Sequence, residues 1–297
     1  MVPQHMIRAF LAAALALASF ACAAQQHYLW EVSSLSNRIY LYGTVHAGKK
    51  EWFPLPAPVE QAFEDSQILV VEADILDVDK MSASGKALSY APPDELKNHV
   101  PEGDWERFRK ILPRYKVPEQ SVVQMKPFMA VSLLVFSEWA RLGYLPDLSV
   151  DAYLIRKARA AFKPVVEIEG IALQTRLMES LTDAENRTAF AGTLTALESG
   201  LTGDQIHGMV SAWQRGDAAR LLTVAQKYNE NVEGAAAFEE KFVWSRHEPM
   251  VAKIAGYLDS RETHFVAVGA LHLAGPRGLV ELLKKRGYIV RQVGVGK

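Results

Sequence analysis

The chain has 297 residues, 49% hydrophobic and 23% charged, an ordinary globular composition with enough apolar material for a substantial core. Its 33 Lys and Arg balance 34 Asp and Glu, so no global field favours nucleic acid or an acidic surface, and no basic stripe interleaved with aromatics marks a nucleic-acid footprint. The single cysteine, Cys22, excludes an internal disulfide framework.

At the N-terminus, Arg8 precedes the apolar run Ala9 to Phe20, and Ala21-Cys22-Ala23 follows as an A-x-A cleavage pattern. The run is short for a membrane span, so the expectation is an export signal over residues 1–23 and a periplasmic or secreted protein that does not touch a membrane once trimmed. Lipid anchoring at Cys22 is the alternative, although Ser19-Phe20-Ala21 is a poor lead-in. Residues 24–297 are expected to form a single domain.

Tyr28 to Ser33 and Arg38 to Val45 read as two strands joined by Ser34-Leu35-Ser36-Asn37, a hairpin. The second strand ends in Gly43-Thr44-Val45-His46, and Pro54, Pro56 and Pro58 in the following loop cannot continue a strand. Pro58 is expected to open a short helix from Val59 to Asp65. Gln67 to Asp74 is a third buried strand that ends in carboxylates, Glu72 among them. Strand, helix and strand in this order suggest a parallel crossover that sets Glu72 on the same rim as His46.

From Met81 to about Asp147 the pattern is helical, with helices expected from Pro92 to Asn98, Asp104 to Leu112 and Gln124 to Arg141, the last with Phe136 and Trp139 at core spacing. A helix from Val150 to Ala161 carries Asp151 in its first turn, where it either favours the helix dipole or supports the site. Lys163 to Gly170 reads as a fourth strand, with Val166 and Ile168 facing one way and Glu167 and Glu169 the other. Helices follow over Asp183 to Glu198, Asp204 to Arg215, Asp217 to Tyr228, Val232 to Val243 and Met250 to Leu258. Pro249 sets Arg246 and His247 near a helix start or kink.

Thr263 to Gly269 then repeats the first strand-end pattern as Gly269-Ala270-Leu271-His272, and a helix Leu279 to Lys285 and a strand Tyr288 to Val293 close the chain. The class is therefore α/β: a central, mostly parallel sheet with two Gly-x-x-His strand ends and a large helical insertion. In open α/β sheets the carboxyl ends of the strands form the ligand rim, so His46, Glu72, Glu169 and His272 are the candidate site. Two mechanisms fit these residue types. Imidazoles and a carboxylate hold a divalent ion while the second carboxylate serves as base, or a glutamate–histidine pair activates water with Arg246 stabilising the developing anion. No HExxH helix, G-x-S-x-G elbow, P-loop or G-x-G-x-x-G turn is present, which removes support for the common zincin, serine-hydrolase and nucleotide readings.

Taken together, Ile39 to His46, Pro54-Leu55-Pro56, Val70 to Asp74, Val165 to Glu169 with Gln174, Trp213 with Gly216-Asp217, Arg246 before Met250, Val268 to Gly275 and Gly287-Tyr288 resemble the TraB/GumN family. That family looks related to the Tiki metal-dependent proteases and, more distantly, to erythromycin-esterase-like hydrolases. The resemblance implies an exported metal-dependent hydrolase of peptide or other amide bonds, with His46, His272 and Glu72 binding a divalent ion such as Mn, Co or Zn. Glu72, Glu169 and Arg246 would be catalytic, and Arg246 and His247 would contact a peptide or other small substrate. This chain departs from the family pattern at Gly170, where Thr is common, and at His247, where Asn is common. The rival reading is a binding or accessory protein on the same fold, serving polysaccharide or signal-peptide traffic without turnover.

Overall fold

The computed structural model describes residues 26–294; the expected signal segment and Cys22 lie outside the described residues. Six strands form one sheet in the order β4-β3-β5-β2-β1-β6. They are β1 (Gln26–Ser33), β2 (Arg38–Thr44), β3 (Ile68–Val71), β4 (Val165–Glu167), β5 (His264–Gly269) and β6 (Ile289–Gly294). β3 pairs with β4, and β5 with both β3 and β2, all in parallel, while β1 runs antiparallel to β2 and β6. The hairpin and the mostly parallel class stand as expected.

The helices are α1 (Ala57–Glu64), α2 (Val78–Ala87), α3 (Glu102–Ile111), α4 (Pro127–Arg141), α5 (Val150–Ala160), α6 (Ile171–Glu179), α7 (Asp183–Glu198), α8 (Leu201–Gln214), α9 (Ala218–Asn231), α10 (Ala235–Phe242), α11 (His247–Leu258) and α12 (Leu279–Lys285). Every residue of β5 is buried, as befits a central strand covered on both faces. The core around the sheet joins Leu41, Val70 and Val266 to Leu154, Val251 and Leu279. A second core, with Leu96, Phe108, Leu134, Phe190 and Leu194, belongs to the helical insertion. Among the described residues no helix is long and apolar enough to cross a membrane.

Two local expectations are corrected. Pro92 to Asn98 holds only a 3-10 turn, Leu96–Asn98: the Leu96 N–H donates to the Val123 carbonyl, and the Asp94 side chain takes Asn98 and His99, so these groups serve the loop instead of a helical ladder. Phe136 is 41% exposed, because the buried face of α4 runs through Ala130, Val131, Leu134 and Glu138. Helix α2 has no buried residue and so offered no apolar period to read.

Gly43 is required by a close approach. A Cβ there would stand 2.3 Å from the Tyr28 ring and 3.0 Å from the Ala270 Cα, while the Gly43 carbonyl accepts a 2.7 Å bond from the Trp213 indole N–H. Gly43→Ala is expected to cost about 1–3 kcal/mol by overpacking, read as a lower urea midpoint at unchanged slope. A parental midpoint would show that this corner gives way freely.

Candidate functional site

The carboxyl rim of β2, β3, β4 and β5 gathers all the residues singled out from the sequence. His46 follows β2 by two residues, Glu72 follows β3 directly, Glu169 lies just past β4, and His272 sits on a 3-10 turn, Ala270–Leu273, after β5. Arg246 and His247 come from the start of α11. Strand β4 is shorter than expected, because the Ile168 N–H turns to the Val71 carbonyl and the N–H groups of Glu169 and Gly170 both reach the Glu72 carbonyl. Gly170 takes the bend at φ +89°, a conformation that glycine adopts freely and that a β-branched residue adopts only under strain.

The three donor groups meet over Gly269. From the position a Cβ of Gly269 would occupy, Glu72 Oε1 is 3.2 Å away, His46 Nε2 is 3.5 Å and the His272 ring is 3.5 Å; the bare α-carbon is what lets them approach. The Gly269 N–H also donates to Glu72 Oε1 at 2.5 Å.

Each histidine is held from behind. His46 Nδ1 meets Asp151 Oδ2 at 3.0 Å, and Asp151 Oδ1 accepts from the Thr44 hydroxyl at 2.7 Å. Helix α5 delivers Asp151 because Ser149 caps it and the Val150 N–H bonds the Val45 carbonyl, which docks the helix start on the strand exit. Of the two sequence readings of Asp151, the supporting contact is the one found. His272 Nδ1 meets His247 Nε2 at 2.9 Å, and His247 Nδ1 meets the Arg277 carbonyl at 2.6 Å. A carbonyl only accepts, so His247 Nδ1 carries the proton, His247 Nε2 is the acceptor, and His272 Nδ1 donates to it. That chain leaves the lone pair of His272 Nε2 facing Glu72 Oε1 at 3.5 Å. Two acceptors confront each other there.

The carboxylates are clamped by one guanidinium. Arg246 Nη2 bonds Glu72 Oε2 at 2.6 Å and also Glu169 Oε2, Arg246 Nε bonds Glu169 Oε1 at 2.9 Å, and Nη1 bonds the Phe242 carbonyl at 2.6 Å. Gln174 reaches both carboxylates, at 3.3 and 3.5 Å. The side chains of Arg246, Glu72 and Glu169 are only 12%, 10% and 7% exposed, so this triad is nearly desolvated.

Charge follows from these contacts. Burial opposes ionisation of Glu72, but His272, Arg246, His46 and the Gly269 N–H together hold its carboxyl down to about 2. Burial is also the main cause that lowers His272 to about 3, with Arg246 and His247 adding to it against the pull of Glu72. With His272 neutral, Arg246 and the protonated His46 are the charges that keep Glu72 ionised. Asp151 raises His46 to about 9 against burial; the His46 side chain is 60% exposed, and water at its outer face tempers that pull.

Among the described residues no three His, Cys, Asp or Glu side chains already form a metal cage. By donor chemistry the site nevertheless fits a divalent ion. The His272 Nε2 lone pair and a Glu72 oxygen converge beside His46 Nε2, which becomes a third donor atom once a bound ion displaces the proton that Asp151 favours there, and each ring has its other nitrogen held by an outer partner, as metal-ligating histidines do. Two ligands at zinc distances are about 3.4 Å apart across a tetrahedral ion, close to the separation of Glu72 and His272. His247 differs from its expected role as a substrate contact: it is 1% exposed and both ring nitrogens are engaged, so it acts on His272. Sequence reasoning did not reach the roles of Thr44, the Gly269 N–H or the Arg277 carbonyl, although Thr44 and Gly269 stand inside the two Gly-x-x-His motifs.

The fold and this cluster define an α/β protein whose strand ends assemble two histidines, two glutamates and an arginine under a histidine relay. The chain belongs to the TraB/PrgY/gumN family, whose model matches residues 28–292. It is similar to the uncharacterized protein YbaP of Escherichia coli (strain K12), at 24% identity over 269 residues, which cover 87% of this chain and 94% of that one. It is also similar to the Metalloprotease TIKI homolog of Amphimedon queenslandica, at 26% identity with 92% of this chain and 62% of that protein covered. Metalloprotease TIKI1 of Danio rerio matches at 23% identity, covering 91% of this chain and 64% of its own length. The chain thus spans under two thirds of these two metalloproteases. No solved structure matches it.

Proposed function

We propose that the protein is a metal-dependent hydrolase of peptide or other amide bonds. The observation that carries this reading is the confrontation of His272 Nε2 with Glu72 Oε1 at 3.5 Å beside His46, because two facing acceptors call for a cation between them. The similarity to TIKI metalloproteases supports the same chemistry. His46, His272 and Glu72 are the proposed metal-binding groups, and a bound Mn, Co or Zn ion would polarise the scissile carbonyl and acidify water.

The protein's own groups do the rest. Asp151 fixes the tautomer and orientation of His46, and His247 does so for His272. Glu169 holds Arg246, and Arg246 keeps Glu72 ionised and in place; its unused Nη1 hydrogen and its charge bias the site toward a developing oxyanion. Glu169 is the proposed base only once a substrate displaces part of that clamp. We place the protein in the periplasm or outside the cell on the strength of residues 1–23, and read residues 24–297 as one domain, a reading supported by the β1–β6 pairing that ties the two ends of the described chain together.

The experiment is metal content by mass spectrometry after dialysis against Mn, Co and Zn salts, on protein lacking residues 1–23. About one equivalent in the parent and under a tenth of that in a folded His46→Ala/His272→Ala variant is the expected result. Equal metal in both would overturn the ligand assignment. Hydrolysis by a parent that holds no metal would establish the metal-free glutamate–histidine mechanism, and neither metal nor hydrolysis would favour a binding protein.

A further inference from the structure

Two of the three proposed metal-binding groups are fixed by burial: His272 is 5% exposed and Glu72 8%. The His46 side chain is 60% exposed, and among the described residues its ring is held by Asp151 alone. Packing therefore does not fix that ring, and its position depends on the backbone from Gly43 to Gly48. One helix grips this segment on both sides of His46. Helix α8 carries Ile206, Val210 and Trp213 at the i, i+4, i+7 spacing of a single buried face. Ile206 and Val210 form a small core with Ala47 and Tyr144, and the Trp213 indole N–H donates to the Gly43 carbonyl.

The indole acts where the sheet stops. The ladder between β1 and β2 ends at Leu29 opposite Tyr42, one residue short of Gly43, and the bond from Trp213 to the Gly43 carbonyl is buried. A buried carbonyl left unpaired is unfavourable, so the turn that leads to His46 stays where the indole meets it. Trp213 is itself held: it is buried, and Trp52 packs on it with ring centroids 5.0 Å apart. The Trp52 ring also closes on the far end of the segment, where a Cβ on Gly48 would stand 3.0 Å from it. Gly48 in turn exchanges two backbone bonds with Leu145, at 3.0 and 2.7 Å.

We propose that Trp213 is a positioning residue: through the Gly43 carbonyl it sets where His46 presents Nε2, beside Glu72 and toward the bound ion. The part that concerns the ion rests on the metal-dependent reading; the placement of His46 does not. Trp213 touches neither the ion nor a substrate, and acts by removing freedom from the donor that burial leaves free. Ligands held in place beforehand bind more tightly, because less ordering is left to the binding step.

The test replaces Trp213 by β-(3-benzothienyl)alanine, which keeps the shape of the indole and puts sulfur in place of the N–H. Two readouts are taken on protein that urea titration shows to be folded: zinc affinity by competition with a chelator and, in metal-free protein, the imidazole Hε1 resonance that His46→Ala deletes. About 10-fold weaker zinc binding and a displaced His46 resonance are expected. Leu134→Ala, in the second core, is expected to lower the urea midpoint while both readouts stay parental. A replacement at Trp213 that lowers only the urea midpoint overturns the proposal. A parent that binds no zinc, manganese or cobalt sinks the metal reading, and the His46 resonance then decides the placement alone. Should the replaced protein not fold, Val210→Ala, which loosens the grip on Ala47 by packing alone, is expected to displace the same resonance, and a parental resonance there overturns the proposal.

Discussion

Arg246→Ala is expected to lower the unfolding free energy by about 3–5 kcal/mol, the cost of removing one partner from a buried ion pair. The loss is large because the guanidinium serves two carboxylates at once. Glu72 would keep the Gly269 N–H and Gln174, but Glu169 would keep only a long 3.5 Å contact with Gln174. For a protein whose whole stability is of order 5–15 kcal/mol, this shift is easily read by urea denaturation at neutral pH. Arg246→Lys should fall between the parent and the alanine variant, since an ammonium supplies charge without the planar fork that bonds Glu169 through two nitrogens. An alanine variant within 1 kcal/mol of the parent would mean that water or Gln174 takes over the clamp, and the account of Glu72 ionisation would fall with it.

Glu72→Gln is expected to reduce hydrolysis of a peptide library about 10²- to 10⁴-fold, the range associated with losing a positioned proton-transfer group, and to lower metal retention in parallel. The amide keeps the shape and its oxygen still accepts from Gly269, so the fold should survive, and circular dichroism with a urea midpoint would check that it does. What changes is charge: with its oxygen on the Gly269 N–H, the amide nitrogen takes the place of Oε2 against Arg246, and the anion that pairs with Arg246 and would hold a cation is gone. A variant that is folded, loaded with metal and fully active would remove Glu72 from the mechanism. A variant that is folded and metal-loaded but inactive would shift the role of Glu72 from ligand to base.

The strand ends were legible because the physics there is local. An apolar, β-branched run that stops at Gly43, Glu72 or Gly269 has few alternatives to a buried parallel strand with its polar successor at the rim. Arg246 and His247 were placed at a helix start by Pro249 alone, and α11 does begin at His247. What stayed hidden depends on contacts across long stretches of sequence. Asp151 lies 105 residues from His46, and nothing in a first-turn aspartate distinguishes a dipole partner from the orienter of a distant imidazole. The His247–His272 relay hinges on a backbone carbonyl at Arg277, which carries no side-chain signature at all. In the helical insertion the errors have the opposite cause. Pro92 to Asn98 looked helical from composition, but its polar groups found better partners in Asp94 and Val123.

The central place of β5 sets an order of events for the nascent chain. Strands β2 and β3 are made early, yet neither touches the other; the strand that joins them is made almost two hundred residues after β3. Until it inserts, both present bare edges, the surfaces most prone to pair with a stranger, and such distant pairing is slow to find. A chain made only as far as β4 lacks His272 and the Gly269 amide, and so has neither the cradle nor the third donor. The cluster therefore assembles last: its timing is built into the strand order, because the residue that receives Glu72 arrives with the strand that closes the sheet.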